Sequence, residues 1–148
     1  MRAILLLFAL VSCAPPSQPS ASEAARPPLS ELAQQITADL ARLDVELAAD
    51  GVAAASIGET ADLGDGLTVR PIEVTEESRC PGDVVCATSG NLRLRADVSG
   101  TERDLTLGVP LQTPQGALLL AVAKPRPFFH WPENEVPRPP YRFGFRRA

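Results

Sequence analysis

The chain has 148 residues, 45% of them hydrophobic, and a formal net charge of −4, which suits one folded domain and excludes a wholly disordered chain. Fifteen prolines and ten glycines exclude an architecture of long helices. The acidic balance argues against a nucleic-acid partner, because phosphate binding needs a basic face.

Met1-Arg2 is a minimal positive start, and Ala3 to Val11 (AILLLFALV) is an apolar run too short to span a bilayer and suited to a signal-peptide core. The run ends in Leu10-Val11-Ser12-Cys13, which resembles the lipobox of bacterial lipoproteins. That resemblance implies a signal peptide over residues 1–12, a diacylglyceryl group on the Cys13 sulfur, and cleavage in front of it. A lipidated cysteine would tether the chain to a membrane without a spanning helix, since two acyl chains anchor stably where one does not. Ala14 after the cysteine, in place of Asp, resembles the signal for sorting to the outer membrane. The expected location is therefore the cell envelope, on the outer membrane facing the periplasm.

Residues 13–28 hold that cysteine and a linker rich in Pro, Ser and Ala. With almost no large apolar side chain, the linker has too little surface to bury and should act as a spacer. If extended, its fifteen residues reach roughly 45 Å.

Over residues 29–50, Leu29, Leu32, Ile36, Leu40, Leu43 and Leu47 recur at spacings of three and four, which predicts one amphipathic helix. Ser30 and Asp50-Gly51 mark its ends. Its apolar stripe can pack on the chain's own β-domain or on a partner helix. After Gly51 the period becomes two, and residues 51–148 read as a β-domain. Expected strands are a weak one at residues 54–57, then residues 67–74, 91–98, 103–109 and 117–123, and a last strand carrying Tyr141, Phe143 and Phe145 inward. In the 67–74 stretch, Leu67 and Val69 lie on one face and Ile72 and Val74 on the other, with Pro71 suggesting a bulge or an edge. Leu105, Leu107 and Val109 are expected inward, and residues 117–123, apolar on both faces, are expected to be central. The fold class is mainly β: a small antiparallel β-sandwich or barrel preceded by one helix.

The three cysteines are an odd count for an exported protein. Assigning Cys13 to lipid leaves Cys80 and Cys86 as a pair that can close a disulfide in an oxidising compartment. Such a seven-residue loop stabilises by roughly 2–2.5 kcal/mol in the loop-entropy account. The spacing is not Cys-x-x-Cys, and with two thiols and one histidine beyond Cys13 zinc lacks ligands, so neither metal nor cofactor is expected. Glu77-Ser78-Arg79-Cys80-Pro81, four residues, Cys86, three residues, then Gly90-Asn91 resembles a family of small exported bacterial proteins, many of them lipoproteins, of unassigned function. The likeness extends more weakly over residues 56–148. It implies a β-sandwich-like domain with a loop disulfide and carries no activity with it. The family often has Trp-Ala between the second cysteine and the glycine, where this chain has Ala87-Thr88-Ser89.

Phe128, Phe129, His130 and Trp131 lie in a segment with eight prolines between Pro110 and Pro140. They form either an exposed partner-binding patch or a cap on the open end of the β-core. His130 is the sole histidine, and no nucleophile, base and orienter set is evident around it. The expected function is a membrane-anchored, non-catalytic envelope lipoprotein acting as a binding or interaction module, with an envelope protein as its possible partner. A structural envelope role and an enzyme of unknown reaction are the alternatives.

Overall fold

The computed structural model describes residues 29–148; the signal peptide, Cys13 and the linker expected over residues 1–28 lie outside them. Helix α1 spans Glu31–Leu47, its first turn capped by Ser30, whose hydroxyl accepts the Ala33 N–H. The helix ends three residues short of the expected Asp50, and the chain turns through Gly51 at φ 77°. Eight strands follow: β1 (Ala53–Ser56), β2 (Ala61–Asp62), β3 (Thr68–Glu77), β4 (Leu92–Val98), β5 (Thr101–Thr106), β6 (Pro110–Thr113), β7 (Gly116–Lys124) and β8 (Arg142–Arg147). They form two antiparallel sheets of four strands, ordered β1-β8-β7-β6 and β2-β3-β4-β5. Among the described residues the fold is a small β-sandwich with one helix.

The core between the sheets follows from alternation. Leu92, Leu94, Ala96 and Val98 of β4 are all buried, and they face Leu118, Leu120, Phe143 and Phe145 from the other sheet within one cluster. The β4–β5 hairpin turns at Ser99-Gly100, both at positive φ (49° and 86°), the twist a two-residue hairpin requires. Thr101 and Glu102, which precede the strand expected from residue 103, already pair with Val98 and Asp97. Val109 departs from its expected inward position and is 54% exposed. The reason is a turn: the Val109 N–H donates to the Thr106 carbonyl, and β5 ends before the alternation reaches it.

Bulges change the faces elsewhere. In β3 the pairing slips between Pro71 and Glu73, so one extra residue, Ile72, reverses the alternation of the residues that follow. Val69, Pro71 and Val74 consequently share the core side, opposite Val98, Ala96 and Leu94. The expected placement of Val74 on the opposite face to Val69 is thus corrected. A second slip before Glu76 puts Glu77 opposite Leu92. In β7 a slip between Leu120 and Val122 lets Leu120 and Ala123 face the core while Val122 meets Leu43 and Leu47 of α1 on the outer face. That helix cover explains why β7 is apolar on both sides. Gly144 of β8 makes room for it: a Cβ there would come within 2.9 Å of Val52 Cγ1 and 3.2 Å of Leu47 Cδ2. The Lys124 ammonium also pairs with Asp44 of the helix.

Candidate functional site

The Glu77–Asn91 motif leaves the end of β3, loops out, and returns into β4. Its base is a short ladder, in which the Ser78 N–H donates to the Asn91 carbonyl at 2.8 Å and the Cys80 N–H to the Ser89 carbonyl at 2.9 Å. Gly90 is required there. It sits at φ +65°, and a Cβ would lie 1.7 Å from the Ser78 carbonyl oxygen. The Arg79 guanidinium folds back on Glu77, donating from Nε to Oε1 at 2.8 Å and from Nη2 to Oε2 at 2.5 Å. Its other donors reach the carbonyls of Ala123 at 2.9 Å and Pro125 at 2.8 Å. Tyr141 donates its hydroxyl to Glu77 Oε2 at 3.0 Å. Burial, then the negative Glu77 carboxylate, push the Tyr141 phenol above its ordinary value. Arg79 thus pins the motif to the end of β7, with all of its bonded partners supplied by the chain.

Cys80 and Cys86 form the expected disulfide, with Cα atoms 5.9 Å apart. The seven-residue loop they close holds the segment after β7. Gly82 donates its N–H to the Pro127 carbonyl at 2.9 Å, and the Phe128 ring lies flush on Gly82, where a Cβ would meet it at 2.6 Å. The Asp83 carboxylate accepts the backbone N–H of Phe129 at 2.6 Å and of His130 at 2.8 Å, and lies 3.2 Å from His130 Nδ1. Burial pushes the Asp83 acid up, but the His130 and Phe129 N–H groups outweigh it and hold its pKa below the ordinary carboxylate value. A depressed carboxylate stabilises the fold above its unfolded value of about 3.9 and loses that contribution as pH falls from there through the folded value. The Asp83 clasp is closed at neutral pH.

The four aromatic-segment residues divide. Phe128 is buried and Trp131 half-buried against Ala33, Ile36 and Val136, a cluster separate from the sandwich core. Their rings meet edge to face at 5.9 Å, and the Trp131 indole N–H donates to the Val136 carbonyl at 2.7 Å. They cover the N-terminal half of α1, not the open end of the sandwich. Phe129 is 72% exposed, and His130 is exposed beside it. Across Asp83, Val84 is 40% exposed and Val85 fully exposed. Two loops therefore meet at Asp83 and present Val84, Val85, Phe129 and His130 at one tip.

Between the base of the motif and the C-terminal half of α1, a cleft of about 400 Å³ is lined by Arg42, Leu43, Glu46, Arg79, Cys80 and Arg126, among others. Two of its arginines are engaged, Arg79 as above and Arg42 with Asp39 and Glu46. Among the described residues no group of three His, Cys, Asp or Glu is placed to hold a metal ion, and no helix is long and apolar enough to cross a membrane. His130 and Asp83 form a pair, but Asp83 spends its oxygens on two backbone donors as well. Sequence reasoning misses Asp83, Val84 and Val85. One signal was available, since two valines inside a disulfide loop of seven residues have nowhere to be buried. Comparison with protein-family models, curated proteins and solved structures finds no match to this chain.

Proposed function

We propose that the chain is an envelope lipoprotein whose folded domain is an interaction module, held to a membrane by lipid on Cys13 and touching a neighbouring component of the envelope through the Val84–Val85 and Phe129–His130 tip. The supporting observation is the exposure of Val85 and Phe129 on loops tied by a disulfide and by Asp83. A soluble domain gains nothing by fixing apolar side chains in water, and binding through a rigid segment loses less entropy. The anchor rests on Leu10-Val11-Ser12-Cys13 and the Pro, Ser and Ala spacer after it.

Two experiments test this reading. Metabolic labelling with a fatty-acid analogue should mark the wild-type chain and not Cys13→Ser; label that persists in the variant refutes the anchor. A photo-crosslinking residue at position 129 should give adducts in intact cells well above those from position 45. Val45 is an equally exposed apolar position, at 72%, on the helix surface. Equal yields from the two positions would refute the tip as the contact surface.

A further inference from the structure

We infer that the tip's occupant is the surface of the lipid bilayer to which the chain is anchored; this deepens the proposed function and rests on its lipid anchor. The geometry that points there is the shared end of tether and tip. Leu29, the first described residue, packs in the Phe128, Val136 and Trp131 cluster. The Ser30 N–H donates to Glu135 at 2.7 Å, and Gln35 on the next turn reaches the Gly82 carbonyl. The described chain therefore begins beside the loops that carry Phe129 and Val85.

Length supports the same occupant. Even fully extended, the fifteen residues between Cys13 and Leu29 reach only roughly 45 Å. Such a tether keeps the near end of the domain within reach of the headgroups and raises its effective concentration there. Size separates lipid from protein. Two valines and one phenylalanine make a small patch, whereas a stable protein interface buries on the order of 1,200 Å² or more. A domain already anchored needs only a weak second contact to be oriented. Three acids at this end are engaged within the chain, Asp83 with N–H groups of the aromatic loop, Glu135 with Ser30 and Glu133 with Arg138, while Glu31 stays exposed in the first turn of α1. Arg126 stands exposed next to the aromatic loop, available to a phosphate headgroup.

The test uses the full lipidated chain in vesicles of phosphatidylethanolamine and phosphatidylglycerol containing brominated phospholipid. Phe129→Trp places a reporter at the tip, read against Trp131, the natural chain's one tryptophan. The added emission should be quenched by at least half, and Val85→Asp in the same background should relieve most of that quenching. No quenching, or quenching that Val85→Asp leaves unchanged, overturns the inference. In intact cells, a crosslink from position 129 to one discrete protein in place of lipid would overturn it in favour of a protein partner while leaving the interaction module standing. Fatty-acid labelling of the same preparation reports the anchor separately. An unlabelled chain overturns the anchor and this inference together, and a labelled chain with an unquenched tip overturns this inference alone.

Discussion

The sandwich core and the disulfide end of the molecule are held by different physics. Between the sheets, apolar side chains alternate in and out, and Leu92, Leu94, Phe143 and Phe145 are wholly buried. At the other end the helix is joined by a small buried cluster with Phe128 and Val136, and order comes from a covalent bridge, a bidentate ion pair and one carboxylate bound to backbone N–H groups. The core gains stability roughly in proportion to the apolar area it removes from water. The loop assembly removes little and instead restricts its own freedom. Its product is not a larger core but a fixed position for side chains left in water.

That contrast can be broken from either side, and the largest effect belongs to the core. Phe143→Ala should cost about 3–5 kcal/mol, the usual loss for a buried phenylalanine, and should shift the whole melting transition. A smaller loss would mean the sheets relax around the gap. Converting both Cys80 and Cys86 to Ser should cost roughly 2–2.5 kcal/mol by loop entropy. Chemical denaturation with tryptophan emission as the signal measures it, because Trp131 reports on the loop assembly itself. A loss near zero would mean the clasp and the Arg79 contacts hold the loop unaided.

Tyr141 offers an electrostatic reading of the same end. It is the one tyrosine of the chain, so ultraviolet absorbance titration follows it alone. Its midpoint should lie above the ordinary value of about 10, because burial and Glu77 both oppose the phenolate. A raised pKa means the contribution to stability is complete below the unfolded value and is lost as pH rises through the folded one. Glu77→Gln should bring the midpoint down; an unchanged midpoint would remove Glu77 from the account. The smallest effect is expected at the tip. Phe129→Ala should change stability by no more than about 0.5 kcal/mol, as an exposed site should. A larger loss would show that Phe129 packs on something and is not displayed.

The two regions also differ in how far the sequence reveals them. The helix stripe from Leu32 to Leu47 and the alternation of Leu92 to Val98 are periodic, and periodicity is what a linear reading detects. Bulges and turns break it, which is why Val74 and Val109 lie on other faces than alternation predicts: one inserted residue or one turn reverses every later side chain. The disulfide followed from counting cysteines. The Asp83 clasp could not, because it joins positions 46 and 47 apart and leaves no local pattern. The division of Phe128 and Trp131 from Phe129 and His130 was hidden for the same reason, as it depends on which side of the segment α1 covers.

Hydrogen exchange at the Phe129 and His130 amides tests most directly whether the tip is held rigid by its clasp and its disulfide. Both N–H groups are bound to Asp83 although Phe129 is largely exposed as a residue. In the oxidised protein at neutral pH they should exchange slowly for exposed loop positions, and reduction of the Cys80–Cys86 bond should speed both together. Fast exchange in the oxidised protein, or rates that reduction leaves unchanged, would contradict the account.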